Sequence, residues 1–452
     1  LRTSAALGAG CLLPTSARAE QAPAAASPNI ALIVMDTTRA DKLGCYGYGL
    51  ETSPDLDKIA NEGVRFDRVV SQCSWTRPAM GSVLASRFPR TLGLYLERDQ
   101  MLNSAVDTLP KMLKRQGYAT FGATANPNMN ALFGFDQGFD TYHDSNVVFG
   151  WMDVQQGQEV RSGATRLPEA NEMFQAAIDW AREHPDTPGY VQINAMEVHE
   201  WYIRHTMIRP EYRELFKDAP DERFPRYLQS VRQLSDDVAA FVKNLSAVPG
   251  WEDTLFVIMS DHGEGLEEHG VVAHDKYHGW LLYESQVVVP WIMYRKGWDR
   301  KNAVVKQPVR LLELLPTVLD CAGLELPDNI DGHSMRPVIM GEEDQVALPD
   351  YFVTETHWRG FDKIGAYAPQ WKHFHNKSPH RGLTDFELQI RGSKEMGIRT
   401  DQSTDHPRQL ASMSLFLSQW EAEHPKVPAT PLSRELTDEE REALEAVGYL
   451  GV

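Results

Sequence analysis

The chain predicts an α/β fold with a largely parallel central sheet, and three observations carry that expectation. Two short, nearly unbroken apolar runs, Asn29 to Met35 and Thr254 to Met259, each lead into a carboxylate, Asp36 and Asp261. Such runs, bounded by polar residues, read as central strands covered on both faces. Strand-like and helix-like segments then alternate along the chain, as they do where helices wrap a parallel sheet.

The elements follow in order. After the first strand, Ser53-Pro54-Asp55 opens a helix, with Ser53 as N-cap and Pro54 in the first turn. Val64 to Val70 reads as a strand. Ser74-Trp75-Thr76-Arg77-Pro78 leads into a small-residue helix over Ala79 to Ser86. Thr108 to Gln116 is amphipathic, Tyr118 to Thr124 is a strand, and Glu169 to Glu183 has apolar positions at helical spacing. Gly189 to Met196 is a further strand, and a helix over Arg226 to Leu245 precedes the Asp261 strand. Beyond Met340 the pattern changes. Tyr351 to Glu355, Trp371 to His375 and Phe386 to Ile390 read as short strands before a helix over Arg408 to Glu423. The expected organisation is a leader over 1–27, a catalytic domain over 28–345 and a small α+β subdomain over 346–452.

With 452 residues, 42% of them hydrophobic, the chain can bury a large core, and it has no apolar run of membrane-spanning length. A formal net charge of −18 argues against a nucleic-acid partner. The apolar stretch Ala5 to Leu13, followed by Ala17-Arg18-Ala19, reads as the tail of a signal peptide, so the expected location is periplasmic or secreted. Gly10-Cys11 fits a lipoprotein signal less well, because Gly8 stands where a large aliphatic residue belongs. Past the leader only Cys45, Cys73 and Cys321 remain, which permits one disulfide at most. Nothing in the pattern fixes an oligomeric state.

Open parallel sheets bind ligands at the carboxyl ends of their strands, which is where Asp36 and Asp261-His262 would meet. Hard carboxylate oxygens with one imidazole suit a divalent cation, with Ca, Mg, Mn and Zn not distinguished. A lone strand-end Asp more often caps the next helix. Two such ends, one of them Asp-His-Gly, favour the metal.

These residues also carry a resemblance. Asp36-Thr37-Thr38-Arg39-Ala40-Asp41, Ser260-Asp261-His262-Gly263-Glu264, His278-Gly279, Leu314-Leu315-Pro316-Thr317, Asp331-Gly332-His333-Ser334 and Gly448-Tyr449-Leu450 follow in the order found in the sulfatase branch of the alkaline phosphatase superfamily. The resemblance implies an alkaline-phosphatase-like three-layer α/β/α sandwich with a small C-terminal subdomain. It implies one divalent metal ion held by Asp36, Thr76, Asp261 and His262, and a small anionic ester as substrate.

Two registers compete for the nucleophile. Counting back from Ser86-Arg87-Phe88-Pro89 puts Thr76 in the slot where relatives carry the cysteine that becomes formylglycine; the other register puts Cys73 there. Thr76 is favoured, because the Cys73 register needs three extra residues. As a simple N-cap before Pro78, Thr76 would also make sense. By resemblance His199 and His278 contact the transferred group or protonate the leaving group, and Arg77, Arg39 and Asn126 bind substrate. Asn126-Pro127-Asn128 replaces a Lys and a His of many sulfatases, and Thr37 replaces a metal-binding Asp. His269 and His274 suggest a second metal, though loop histidines are the commoner reading. The expected activity is cleavage of a sulfate or phosphate ester through a covalent intermediate on Thr76. Alternatives are a phosphodiesterase or phosphonate monoester hydrolase, a phospho-group transferase, and a non-catalytic paralogue that binds anions.

Overall fold

A computed structural model describes residues 27–96, 100–145, 167–202, 208–219, 224–269, 276–378, 383–392 and 400–438, with 440, 441 and 444 beyond them. Its large sheet has eight strands in the order Ala303–Val305, Val64–Phe66, Trp291–Arg295, Thr254–Met259, Asn29–Met35, Gly189–Ala195, Ala119–Thr124, Thr141–His143. Asn29–Met35 lies at the centre, parallel to Gly189–Ala195 on one side and to Thr254–Met259 on the other. Every residue of these three strands is buried, which is why they read as continuous apolar runs rather than as alternating ones. Trp291–Arg295 alone runs against its neighbours.

Helix Pro225–Leu245 packs against Pro54–Glu62 and Ala170–Arg182, while Thr76–Ala85 packs against Leu109–Arg115 and Leu314–Cys321. These two groups are the outer layers of a three-layer α/β/α sandwich. Ala170–Arg182 starts with a capping box in which Glu169 and Glu172 satisfy each other's backbone N–H groups. Ser53 does occupy the N-cap position of Pro54–Glu62, but it makes no capping bond. Its hydroxyl donates to Asp57 Oδ1 and accepts from Gly44 N, both at 2.8 Å.

The second sheet is antiparallel, with the order Phe352–Trp358, Phe361–Tyr367, Trp371–Asn376, Phe386–Ile390. One face carries Val353, Ile364, Ala366 and Leu388 onto Met413, Leu417 and Trp420 of helix Pro407–Glu423. The other face docks on the large sheet's domain: Thr356 Oγ1 donates to Gly279 O at 2.8 Å, and the rings of Trp358 and Trp75 lie 5.0 Å apart.

Three expectations need correction. Val64 to Val70 is not one strand: it breaks at Asp67-Arg68 into Val64–Phe66 in the large sheet and Val69–Val70 in a small sheet with Val288–Val289 and Val309–Arg310. The strand Phe361–Tyr367 escaped the sequence reading because Asp362, Lys363 and Gly365 obscure its apolar alternation. The small-residue helix begins at Thr76 rather than Ala79. Cys45, Cys73 and Cys321 are all free thiols. No helix among the described residues is long and apolar enough to cross a membrane. Residues 1–26 of the leader and Gly448-Tyr449-Leu450 lie outside the described residues.

Asp331-Gly332 turns out to be a structural lock. Ser86 ends helix Thr76–Ala85 at φ 52°, its hydroxyl donates to Leu312 O, and Gly332 N donates to it in turn. A Cβ on Gly332 would run into that Leu312 carbonyl, so the close approach requires glycine.

Candidate active site

Asp36 is the residue after the central strand, and its N–H still donates to Ala195 O at 3.1 Å. Immediately beyond it Thr37 takes φ 59°, a left-handed conformation that is strained for a β-branched residue. Several bonds over-determine the turn. Tyr227 Oη donates to Thr37 O, Thr37 Oγ1 donates to Asp36 O, and Thr38 N donates to Ser260 Oγ. The chain is thus bent away so that the Asp36 side chain faces the end of the neighbouring strand.

There it meets Asp261 and His262. Ligand atoms of Asp36, Asp261 and His262 all lie within 4.8 Å of one another, and all three residues are buried. Each carboxylate has one oxygen pinned and one left over. Asp36 Oδ2 accepts from Asn126 Nδ2 at 2.6 Å, and Asp261 Oδ1 accepts from His262 N at 3.0 Å. Asp36 Oδ1 and Asp261 Oδ2 are buried with no hydrogen-bond partner. His262 Nε2 stands 3.7 Å from the first and 3.4 Å from the second. On the other side of the ring, His262 Nδ1 lies 3.0 Å from Gly263 O, so this nitrogen is the N–H donor and Nε2 carries the lone pair.

Two orphaned anionic oxygens and an imidazole lone pair aimed at one point fit a divalent cation. Burial, and next the neighbouring Asp261, push the Asp36 carboxyl well above its ordinary range, against the Asn126 hydrogen bond that lowers it. Burial also lowers the basicity of His262 in spite of Asp261, which keeps the ring in its neutral, metal-binding form. A bound cation would offset the first shift and make use of the second.

Thr76 is the first residue of helix Thr76–Ala85 rather than its N-cap. Trp75 holds that position, and no side chain caps the helix. Thr76 Oγ1 lies 3.2 Å from His262 Nε2 and accepts from Asn126 Nδ2 at 3.0 Å. No acidic residue stands in the first turn of this helix, so its free N–H groups and dipole favour negative charge at the Thr76 end. Cys73 points elsewhere. It lines a small cavity with Pro78, Pro89, Glu355 and Thr356, and burial pushes its thiol well up.

His199 and His278 do join the site: the His278 ring centroid is 4.6 Å from that of His262 and 4.8 Å from that of His199. Asn126 joins it in an unforeseen role. Its Oδ1 accepts from Asn128 N, which directs the amide N–H bonds at Asp36 and Thr76. The two arginines have other partners. Arg39 ion-pairs with Asp41 and Glu268, each at 2.7 Å, and Arg77 donates to Asn128 Oδ1 with its guanidinium over the Phe133 ring. As substrate contacts, both would have to give up part of this scaffolding. His269 sits 3.3 Å from Ser285 Oγ, and among the described residues Asp36, Asp261 and His262 form the one group suited to a metal. His274 lies outside the described residues. The sequence reading missed Glu200, Trp201 and Glu264, three buried groups around the histidines that only their adjacency to His199 and to Asp261-His262-Gly263 could have flagged.

A sulfatase family model matches residues 28–324. The delta 4,5-hexuronate-2-O-sulfatase of Bacteroides thetaiotaomicron is 24% identical over 383 residues, covering 74% of this chain and 76% of that protein. The ulvan-active sulfatase of Formosa agariphila is 25% identical over 359 residues, 73% of this chain and 69% of that one. Among solved structures, a 2-O GAG sulfatase superposes with a TM-score of 0.67 at 18% identity, over 88% of this chain and 92% of its own. The phosphonate monoester hydrolase of Agrobacterium radiobacter gives 0.66 at 18%, over 91% and 98%. At these identities the structural likeness is one of fold.

Proposed function

Since this chain belongs to the sulfatase family and is an ester hydrolase, we propose that it cleaves a small anionic ester by a metal-dependent route with Thr76 as covalent nucleophile. The observation that carries the reading is the convergence of the orphaned Asp36 Oδ1 and Asp261 Oδ2 with His262 Nε2, beside a threonine hydroxyl 3.2 Å from that nitrogen. Asp36, Asp261, His262 and Thr76 are the residues that would hold the metal, which when bound lowers the proton affinity of the threonine hydroxyl and offsets charge on the substrate. Asn126 holds Thr76 Oγ1 and Asp36 Oδ2 in register through one amide group.

The Thr76 hydroxyl first gives up its proton to solvent, and its oxygen then forms a bond to sulfur or phosphorus as the bond to the ester oxygen breaks. The departing oxygen keeps the electron pair and takes a proton from His199 or His278. Backbone N–H groups of the first turn after Trp75, which no side chain caps, are the donors this reading assigns to the transferred oxygens. Water then attacks sulfur or phosphorus, its proton going back to the same histidine, and the bond to the Thr76 oxygen breaks so that Thr76 leaves as the alkoxide and the acid anion is released.

Transfer to phosphorus is the second reading, and the residues at 126–128 favour it. Asn126 and Asn128 stand in place of a cationic pair, and a threonine sulfate lacks the elimination route open to a hydrated aldehyde. Purified protein assayed with and without EDTA on matched aryl sulfate, phosphate monoester, phosphate diester and phosphonate monoester tests the proposal. EDTA-sensitive turnover of at least one of them, lost in Thr76→Ala, is expected. Turnover that survives Thr76→Ala or complete metal removal would overturn it.

A further inference from the structure

The segment that carries His278 is held at its ends by its own domain and in its middle by the second sheet. One side-chain amide closes the ends: Gln286 Nε2 donates to Tyr277 O at 2.8 Å, and Gln286 Oε1 accepts from Leu281 N at 3.2 Å. The Gln286 carbonyl accepts from Gly263 N at 2.9 Å, which ties this brace to the residue after His262. Between those ends, Gly279 is bonded on both sides. Its N–H donates to Ser74 O at 2.8 Å, two residues before Thr76, and its carbonyl accepts from Thr356 Oγ1 at 2.8 Å.

Thr356 belongs to strand Phe352–Trp358 and is buried. Two positions further on, Trp358 fills the space that a Cβ on Gly279 would need, and its ring lies 5.0 Å from that of Trp75. Gly279 takes φ 85°, so glycine is required there and no side chain of its own anchors it. The Trp358 ring stops Gly279 from moving towards the second sheet, and the Thr356 hydroxyl stops it from moving away. Glycine has a wider choice of φ and ψ than any other residue, so holding its carbonyl also narrows the orientations open to the N–H that bonds Ser74.

Resting on the hydrolytic reading above, we propose that Thr356 is a positioning residue of the active site: by fixing Gly279 against Ser74 it sets the placement of His278 relative to Thr76. The second sheet is then part of the frame on which the reaction depends. Thr354 supplies the control. It lies on the same face of the same strand, is fully buried, and its hydroxyl has no hydrogen-bond partner.

The test compares wild type, Thr356→Val, Thr356→Ser and Thr354→Val on whichever ester the wild type hydrolyses. Misplacing a reacting group by about 1 Å costs up to about 100-fold, so Thr356→Val should lower kcat by at least about 10-fold with KM changed by less than about threefold. Thr356→Ser, which restores the donor, should bring kcat back to within about threefold of wild type, and Thr354→Val should leave it there. A loss that Thr356→Ser does not recover, an equal loss in Thr354→Val, or no loss in Thr356→Val would overturn the proposal. A second measurement needs no turnover: hydrogen exchange at the Gly279 amide should be at least about 10-fold faster in Thr356→Val than in wild type or Thr354→Val. An unchanged exchange rate would overturn the positioning role. Should Thr356→Val fail to fold, Thr356→Ala, which removes the hydroxyl without adding a methyl group, takes its place in both measurements. If the wild type hydrolyses no ester, it is the hydrolytic reading that fails, and the exchange rate still decides whether Thr356 holds Gly279.

Discussion

Glu197 sets a pH limit on the stability of this fold, and its size can be worked out from the structure. The residue lies just past strand Gly189–Ala195, two positions before His199, and is 2% exposed. Its Oε1 accepts from Ala170 N at the start of helix Ala170–Arg182, while Oε2 is buried with no hydrogen-bond partner. Burial pushes its carboxyl from 4.5 up to about 8, against the help of the Ala170 N–H. Below pH 4.5 the group is protonated whether the chain is folded or not, and the fold keeps its full stability. Between 4.5 and about 8 the unfolded chain ionises and the folded one does not, so stability falls as pH rises and the loss is complete above about 8. At 1.36 kcal/mol per pH unit the whole loss is about 5 kcal/mol, and about 3 kcal/mol of it falls between pH 5 and pH 8. Glu197→Gln keeps an acceptor for Ala170 N and removes the titration. Urea unfolding of both proteins, followed by tryptophan fluorescence at pH 5, 6.5 and 8 and at one fixed metal concentration, isolates the effect, because all other titrating groups cancel in the difference. The variant should gain about 3 kcal/mol on the wild type between pH 5 and pH 8. A difference that stays flat over that range would mean that Glu197 is ionised in the fold, and would refute the reasoning.

Further outcomes follow from the site. A divalent cation should raise the melting temperature of the wild type by binding the folded state alone, and Asp261→Asn should abolish that shift, as thermal scans with and without EDTA would show. Thr76→Ala should remain folded and lose turnover by at least about 1,000-fold, whereas Cys73→Ser should keep most activity and lose about 1–2 kcal/mol of stability from its buried site. Peptide mapping should find Cys73 unmodified; a loss of about 18 Da would mark conversion to an aldehyde and return the nucleophile to that register. Asn126→Ala releases both Asp36 Oδ2 and Thr76 Oγ1, so kcat should fall at least about 10-fold with metal affinity weakened as well, measured by titrating the metal into apo protein. Gly332→Ala should cost about 2 kcal/mol or more in urea unfolding while leaving KM unchanged, because its Cβ meets the Leu312 carbonyl.

The sequence by itself determined the sheet and the metal candidates. Strands buried on both faces must be written in apolar residues from end to end, so Asn29–Met35 and Thr254–Met259 were visible without any neighbour, and the carboxylates at their ends were fixed with them. The family resemblance, by its register counted back from Ser86, also implied Thr76 beside that pair, and its hydroxyl does lie 3.2 Å from His262 Nε2. What the sequence left open depends on which atoms meet across long separations. Phe361–Tyr367 is a strand because its partners on both sides supply the hydrogen bonds, not because its own pattern alternates. Asn126 read as a substrate ligand, and only the fold shows one amide bridging Asp36 and Thr76, which stand 90 and 50 residues away from it. Arg39 and Arg77 read as substrate-binding residues, and only the tertiary structure reveals that Glu268 and Asn128 hold them. Glu264 lay inside a recognised motif, but its meeting with His278 and Trp201 is a property of three loops brought to one strand end. Local sequence encodes what a segment must bury, whereas the partner of a buried charge is decided by the packing of the whole sandwich.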